Sequence, residues 1–534
     1  MRRILTFISA TFITGSLLAG GLVTNTNQSA SWVRLPARDA STSIDAVYYN
    51  PAGLMKLDNG FHFSISNQVI HQNKEVHNYY TGPGGAFGLN DGLYKGKVSA
   101  PVFPGVYAAY KMDKLAFSFG FNPVGGGGGA KFDRGLPSFE MSASDLVPAL
   151  VSKGASGYRV NTYFEGTSVY YGFQGGVSYK INDFISVAGG VRVVSAKNTY
   201  QGYLKDIEIS LPTGWTRADV IMNGISAQAT TAAGSTTALV TAGAGALTLA
   251  QAEQATIITT QQRLALEGAL AAFGSPTTIT IAQADAVFKG AAAKYAATAS
   301  LLGDQEADVT QTGTGYTPFL SVNISPLENL NIAVKYEFAT KIELTNKTKK
   351  DITTDYTEGG VPVTMFPNGE KVRNDMPAML SLGVDYGVTS KLNVTAGVHY
   401  FFDKSANYGH KVNDVYVPNS AIIDKNYYEL AAGLQYKIND MFLVSGGYLY
   451  SRPGVKADFQ SDLTYELPAS TVGAGGAVNI LKNLQVNLGF AYTFYDKGEK
   501  IVYHLFSPTQ TSIPARETYF IDTMVIAAGV DFSF

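Results

Sequence analysis

Hydrophobic and polar residues alternate strictly in many segments of this chain. From Leu392 to Phe402 every second residue is hydrophobic, and most of the residues between them are polar or small. Successive side chains of a β-strand point to opposite faces, so each such segment predicts a strand with one apolar face. The pattern recurs in five further segments: Leu484–Phe494, Leu330–Phe338, Leu380–Tyr386, Tyr428–Tyr436 and Leu115–Phe121.

Repeating this reading along the chain predicts about fourteen strands, an even number, as expected for a single-chain bacterial barrel. They begin near residues 60, 105, 114, 167, 184, 315, 330, 377, 391, 426, 441, 466, 484 and 517. Short turns alternate with long connections, which we place at about 72–104, 130–165, 205–313, 346–375, 404–425, 453–464 and 499–515. Four tyrosines end the apolar face just before a short turn: Tyr110, Tyr179, Tyr386 and Tyr436. Sorted loops and an aromatic rim predict an all-β fold, a transmembrane antiparallel β-barrel.

Both ends of the sequence fit export to the bacterial outer membrane. Arg2 and Arg3 precede an apolar run and the small residue Ala19, which predicts a signal peptide over residues 1–19. Alternating apolar residues lead to the terminal Phe534, an arrangement similar to the signal read by the outer-membrane assembly machinery. We therefore expect the assembly machinery and outer-membrane lipid as partners.

Composition removes several other classes of protein. After residue 19 no run of 18 or more apolar residues occurs, which excludes a helical membrane bundle. The net charge of −2 gives no indication of nucleic-acid binding. The six histidines lack the spacing of a helical metal site, and the chain has no cysteine. We predict no enzyme activity, no metal and no cofactor.

Two regions do not follow the strand pattern. Residues 20–58 are polar and irregular and precede a barrel that we assign to residues 59–534. Residues 214–313 are rich in Ala and Thr, and within them Leu249–Phe273 and Ala282–Leu302 are predicted as helices. Because this insert lies on the side of the long loops, we expect it outside the cell, as a mobile surface loop or as a lid.

The third strand contains a thorough break. Asn122 and Pro123 are followed, after Val124, by five glycines: Gly125, Gly126, Gly127, Gly128 and Gly129. Proline cannot donate to a sheet ladder and a run of glycines weakens pairing, so the strand must bend or detach there. The alternative is the flexible start of a surface loop.

The segment Asn50-Pro51-Ala52, placed after a signal peptide and just before a barrel, resembles the FadL/TodX family of outer-membrane long-chain fatty acid transporters. The resemblance extends to the strand count and to Phe534. It implies that residues 20–58 form a plug, or hatch, inside the barrel. It also implies that the break at Asn122–Gly129 is a gap in the wall, through which a hydrophobic ligand leaves sideways into the membrane.

Two further sets of residues are candidates for ligand contact. Leu146, Val147, Leu150 and Val151 would form one apolar face of a short loop helix, either a first docking groove or a surface packed on a neighbouring loop. Arg192 and Lys335 fall on lumen-facing positions and could bind a carboxylate, although pairing with lumen-facing acids such as Glu337 is the alternative.

The function predicted on these grounds is passive uptake of long-chain fatty acids or similar hydrophobic small molecules. Aromatic hydrocarbons are an alternative ligand. A general porin, which would lack a plug, and a structural or adhesive barrel, in which the insert would act, are the alternative functions.

Overall fold

Fourteen antiparallel strands form one closed barrel in the computed structural model, which describes residues 23–83, 85, 89–358, 361–409, 411–412, 415–506, 509 and 511–534. The barrel closes where the first strand pairs with the last, from His62 opposite Ser533 to Tyr80 opposite Ala515. The predicted barrel and strand number are confirmed. The predicted signal peptide, residues 1–19, lies outside the described residues.

The barrel strands are labelled in chain order. They are β1 Gly60–Tyr80, β2 Asn90–Met112, β3 Leu115–Phe132, β4 Gly157–Lys180, β5 Ile185–Leu211, β6 Gln305–Leu327, β7 Leu330–Glu337, β8 Met379–Gly387, β9 Leu392–Phe401, β10 Tyr428–Lys437, β11 Phe442–Arg452, β12 Ala469–Leu481, β13 Leu484–Tyr495 and β14 Thr511–Ser533. Shorter strands extend the loops at Gly214–Arg217, Glu343–Lys350, Thr353–Glu358, Val361–Thr364, Lys371–Arg373, Lys411–Val412, Val415–Tyr416 and Gly498–Phe506.

The outer face of the barrel carries the apolar side of the alternation. Phe63, Phe119 and Leu488 have exposed fractions of 41%, 48% and 56%, whereas lumen-facing side chains such as His399 and Arg192 are buried. The four tyrosines predicted to form a rim are all exposed on this outer face. An apolar belt with aromatic residues at its edge is the surface that a lipid bilayer requires.

Several strands run further toward the long-loop end than the sequence predicts. Residues 72–104 are predicted as a connection, yet β1 continues to Tyr80 and β2 begins at Asn90. Beyond the apolar belt the outward residues are polar, as at Asn73 and Glu75 of β1, so the apolar outer face that marks strands in the sequence is missing there. Inter-strand pairing and a buried apolar cluster that includes Val76 continue the sheet.

The helices lie in the lumen and in the long loops. They are α1 Ala30–Arg34, α2 Ala46–Tyr49, α3 Pro137–Ser144, α4 Leu146–Ala149, α5 Ala218–Leu239, α6 Leu249–Gln254, α7 Thr260–Ala272, α8 Ile281–Leu301 and α9 Asn419–Ile422. Short 3-10 helices occur at Pro51–Lys56, Val151–Lys153, Asp403–Ser405 and Ala457–Phe459, and a π-helical turn at Val240–Ala244. No helix in the described part of the chain is long and apolar enough to cross a membrane.

The insert between β5 and β6 is helical, but its helices differ from those predicted. The predicted helix Leu249–Phe273 is wrong in its middle, because Ala255–Thr259 separates α6 from α7. The longest helix of the insert, α5, was not predicted. It packs against α8, and the Oγ of Ser226 donates to the carbonyl oxygen of Ala292 at 2.8 Å. The barrel resumes at Gln305 rather than near residue 315.

Candidate functional site

Residues 23–56, which we call the hatch, lie in the lumen and are nearly all buried. The segment Asn50-Pro51-Ala52 contacts the inner wall. The Nδ2 of Asn50 donates to Asn323 Oδ1 of β6 at 2.8 Å, and the carbonyl oxygen of Pro51 accepts from Ser178 Oγ of β4 at 2.7 Å. Lumen-facing polar residues of the strands thus bind both backbone and side-chain groups of the hatch.

Buried ion pairs hold the hatch together and fasten it to the wall. Arg38 Nη2 and Asp45 Oδ1, both in the hatch, are 2.7 Å apart. Asp39 Oδ1 lies 2.5 Å from His399 Nε2, and His399 Nδ1 lies 2.7 Å from Glu429 Oε2. Removing one partner of a buried pair typically costs ~3–5 kcal/mol, so the Arg38–Asp45 pair stabilises the fold of the hatch and the Asp39–His399 pair resists its displacement from the wall.

Glycines line the inner wall where the hatch packs against it. A Cβ on Gly397 would lie 1.8 Å from Asp39 Oδ2, and a Cβ on its cross-strand partner Gly383 would lie 2.5 Å from the backbone nitrogen of Ala40. Further glycines where a Cβ would meet the hatch are Gly433, Gly447, Gly473, Gly475 and Gly489. The hatch backbone therefore follows the wall at a distance that only glycine allows.

The ladder between β2 and β3 is interrupted. Val106 pairs with Phe121 and Lys97 pairs with Lys131, whereas residues 98–105 and 122–130, all within the described part of the chain, have no pairing with one another. We call this place the wall gap. The sequence break at Asn122–Gly129 forms its β3 edge.

The β2 edge of the wall gap was missed in the sequence. Pro101 and Pro104 lie in the stretch of β2 that has no pairing with β3 and, like Pro123, have no N–H to donate to a ladder. On the other side of β2, where the ladder with β1 shifts register, the side chain of Asn67 binds the β2 backbone: its Oδ1 accepts from the Phe103 nitrogen at 2.9 Å and its Nδ2 donates to the Pro101 carbonyl at 3.0 Å. Two prolines three residues apart could have indicated this edge, but they lie in a segment that the sequence predicts to be a connection.

The start of the hatch occupies the inner side of the wall gap. Thr24 forms a β-bridge with Gly125, and the Asn25 nitrogen donates to the Val124 carbonyl at 2.9 Å. Gln28 Nε2 donates to the Pro123 carbonyl at 3.0 Å, and Asn122 donates in turn to Gln28. The broken strand thus finds in the hatch some of the hydrogen bonds that β2 does not supply.

The glycines of β3 differ in backbone conformation, in the space for a side chain and in their pairing with β4. Gly126 has a φ of +93°, and a Cβ on Gly125 would lie 2.3 Å from the Val23 carbonyl oxygen. Gly128 and Gly129 pair with Ser168 and Thr167 of β4, while Gly127 lies within a register shift between β3 and β4. The run therefore produces an irregular edge on both sides of β3.

An apolar cleft opens at the long-loop end of the barrel. Its lining is largely aromatic or aliphatic and comes from β4, β5, β6 and three loops: Ser138, Phe139, Phe164, Tyr200, Gln201, Gly202, Tyr203, Leu204, Gln305, Ala307, Ile352, Met365, Phe366, Ser461, Asp462 and Leu463. Burial raises the pKa of Asp462, whose Oδ2 accepts from the Ser138 nitrogen at 2.9 Å.

The cleft and the wall gap are joined by apolar packing. Phe164 in the cleft pairs with Phe132 of β3, and both belong to a buried cluster at the long-loop end. Ala130, at the edge of the wall gap, packs against this cluster and also against the cluster around the hatch. Apolar side-chain packing is therefore continuous from the cleft to the edge of the wall gap.

The structure places the two candidate cations away from the cleft. Both Arg192 amino groups bind Glu337 at 2.8 Å, and Lys335 Nζ lies 2.9 Å from Glu337 and 2.6 Å from the Tyr48 carbonyl oxygen. Arg192 and Lys335 also face the ring of Tyr48, at 4.9 Å and 4.5 Å from its centroid. Both cations therefore pair with Glu337 and contact Tyr48 of the hatch. Pairing with a lumen-facing acid is the alternative that the sequence left open.

The four candidate groove residues are divided between a packed cluster and the surface. Val147 and Leu150 are 4% exposed and pack with Met222 and other residues of the insert, whereas Val151 is 66% exposed. Leu146 is partly buried against the same cluster. Val147 and Leu150 therefore pack on a neighbouring element, which is the alternative considered for this patch.

Comparison with solved structures finds chains with the same fold. A FadL homologue from Pseudomonas aeruginosa superposes with a TM-score of 0.58 at 13% identity, covering 97% of this chain and 100% of the other. The toluene transporter TodX from Pseudomonas putida gives 0.50 at 14% identity, with 98% and 100% covered. A TodX mutant described as a monoaromatic hydrocarbon channel gives 0.51 at 14% identity, with 96% and 100% covered. No protein-family model and no curated protein sequence matches this chain.

Proposed function

We propose that this chain, whose fold is that of FadL and TodX channels, is a member of that family and acts as an outer-membrane channel. It takes up long-chain fatty acids or other hydrophobic small molecules passively and releases them sideways into the membrane. The observation that carries the proposal is the wall gap, bordered by apolar residues and lying beside a filled lumen. The apolar belt and its tyrosine rim support a location in the outer membrane, with the long loops and the insert outside the cell.

The filled lumen favours a lateral route over an axial one. A ligand crossing straight to the short-turn end would have to displace a hatch held by buried ion pairs and by close contact with the glycines of the wall. An open porin for polar solutes would face the same obstacle.

The chemistry of the ligand favours the same route. Burying each CH₂ group is worth roughly 0.8 kcal/mol, so a chain of about sixteen carbons would resist release into water by ~10 kcal/mol. Release into the bilayer avoids this barrier. Backbone at the wall gap must still be satisfied at membrane depth, and Asn67 together with the start of the hatch supplies partners for it.

A reversible block of the wall gap tests the proposal. Val102, on the β2 edge, is 70% exposed on the outer face, and the chain has no native cysteine. Val102→Cys would be modified with a bulky thiol reagent through a disulfide, and uptake of naphthalene by cells would be measured before modification, after it, and after reduction. The control is Val472→Cys on β12, 48% exposed but paired with strands on both sides.

We expect modification at position 102 to lower uptake severalfold and reduction to restore it, with no change at position 472. Full uptake by the modified Val102→Cys protein would contradict lateral release. No channel-dependent uptake by the unmodified protein would contradict the transport function itself.

A further inference from the structure

The cleft has one charged side chain in its lining, and that side chain is acidic. Among its lining residues there is no lysine, arginine or histidine, and Asp462 is the only acid. Its side chain is buried beside Ser138 rather than turned toward solvent. A ligand in the cleft would therefore meet aromatic rings and one carboxyl group.

The Lys500 ammonium attracts this carboxyl group from nearby, but both of its described hydrogen bonds go to backbone oxygens. Lys500 Nζ donates to the backbone carbonyl of Asp458 at 2.7 Å and to that of Gln460. A second acid, Glu517 of β14, lies near Asp462 and accepts from Tyr519 Oη at 2.6 Å. An anion brought into the cleft would add a further negative charge to this group.

Basic residues at the rim are also engaged. Lys205 and Lys350 lie close in sequence to the lining residues Leu204 and Ile352, and both are paired with Glu306. Charges in a partly buried site interact more strongly than charges in water. The carboxyl group of Asp462 inside the cleft therefore acts on a ligand more strongly than the screened ion pairs at the rim do.

We infer that Asp462 is a specificity-determining residue that excludes carboxylates, so that the cleft takes uncharged apolar molecules, aromatic ones among them, rather than ionised fatty acids. This inference rests on the proposed function, because it assumes that the cleft is where ligand enters. It narrows the ligand from hydrophobic molecules in general to uncharged ones.

Three probes with one ring system test it: naphthalene, methyl 2-naphthoate and 2-naphthoate. Binding of each would be measured by fluorescence to the full chain in nanodiscs at pH 7.5, with binding to empty nanodiscs subtracted. The variant is Asp462→Asn, which keeps an oxygen to accept from the Ser138 nitrogen. The control is Asp458→Asn, the same change at an exposed position of the same loop that does not line the cleft.

We expect wild type to bind naphthalene and the methyl ester at least about tenfold more tightly than 2-naphthoate, a difference of ~1.4 kcal/mol. Asp462→Asn should reduce the discrimination severalfold by strengthening binding of 2-naphthoate, while Asp458→Asn leaves it unchanged. The discrimination of wild type between the ester and the acid tests the inference even if the variant does not fold.

Equal binding of ester and acid by wild type, or unchanged discrimination in a folded Asp462→Asn protein, would overturn the role of Asp462 but leave transport intact. Failure of all three probes to bind would overturn the cleft as an entry site, and the inference with it. If modification at position 102 abolishes uptake while Asp462→Asn leaves the discrimination unchanged, the proposed function stands and only the role of Asp462 fails.

Discussion

Thr24 of the hatch pairs with Gly125 of β3 as an antiparallel β-bridge, which joins the start of the hatch to the edge of the wall gap. Thr24 is 3% exposed, and a Cβ on Gly125 would lie 2.3 Å from the Val23 carbonyl oxygen. The position of the first hatch residues therefore depends on the absence of a side chain at residue 125.

Gly125→Ala should push the start of the hatch away from β3. We expect a cysteine placed at Thr24 to react with a maleimide severalfold faster in this background, because its bridge to the wall is lost. The control is Gly175→Ala, since a Cβ on Gly175 meets no atom within 4 Å. An unchanged labelling rate with Gly125→Ala would show that the bridge does not hold the hatch.

Asp45→Asn should loosen the fold of the hatch. Although burial alone would raise it, the Arg38 guanidinium holds the pKa of Asp45 below its usual value. The variant leaves the buried cation of Arg38 without its anion, at a cost of ~3–5 kcal/mol. Hydrogen exchange of the α1 and α2 amides should accelerate, whereas the exposed control Asp91→Asn should leave it unchanged.

The same pair predicts the response of the hatch to acid. A carboxyl group with a lowered pKa contributes stability that is present above its unfolded pKa of about 4 and is lost as the pH falls through the lower folded value. After correction for the intrinsic rate, the Arg38–Asp45 pair should therefore give hatch amides an exchange rate that does not change between about pH 5 and 7. The rate should rise below about pH 4. A rise already at pH 6 would contradict this assignment.

The loop between β9 and β10 should respond to pH in the opposite sense. Burial raises the pKa of Asp403 to about 6, although it accepts hydrogen bonds from Tyr408 Oη at 2.5 Å and from the Tyr427 nitrogen at 3.1 Å. A raised pKa favours the protonated form in the fold, so this stabilisation is present below the unfolded pKa and is lost as the pH rises through about 6.

We therefore expect the loop amides to be better protected from exchange at pH 5 than at pH 7.5, after correction for the intrinsic rate. Asp403→Asn, which is uncharged throughout, should remove this difference. A pH dependence that persists in the variant would assign it to another group.

The insert should be separable from the barrel. Arg217 Nη2 and Asp304 Oδ1, at its two ends, are 3.0 Å apart, so a short Gly-Ser linker can replace residues 218–303. Because the barrel's hydrogen bonds lie between its strands, we expect the shortened protein to assemble and to remain heat-modifiable on gels. Val147 and Leu150 would lose part of their cover and should become more accessible. Failure to assemble would mean that the insert is required by the barrel.

The sequence predicts the parts of this fold that local chemistry determines. Alternation along segments such as Leu392–Phe402 gives the strands of the apolar belt, and the lumen positions of Arg192 and Lys335 follow from the same period. Where a strand leaves the bilayer, as in β2 near Asn90, its outward residues are mostly polar and the pattern disappears. Pro101 and Pro104 interrupt the alternation of β2 as well, so the sequence assigns them to a loop.

Long-range packing accounts for the rest. Helix α5 is rich in Thr, Ser and Gly, which are weak helix formers, and its contacts with α8 stabilise it. Capping boxes that begin at Thr248, Thr259 and Thr280 mark the starts of α6, α7 and α8 and could have separated them. The cleft joins Ser138 to Leu463 across more than three hundred residues, and no local pattern indicates such a meeting.

The most direct test of the whole account is to map where an uncharged hydrophobic ligand touches the protein. A diazirine derivative of naphthalene would be photolysed with the full chain in nanodiscs, and the modified residues would be identified by mass spectrometry. We predict labels in the cleft, around Phe164 and Phe366, and along residues 98–105 and 122–130 at the wall gap. Labels that instead run past the hatch to Met55 and Lys56 at the short-turn end, with none at the wall gap, would contradict lateral release.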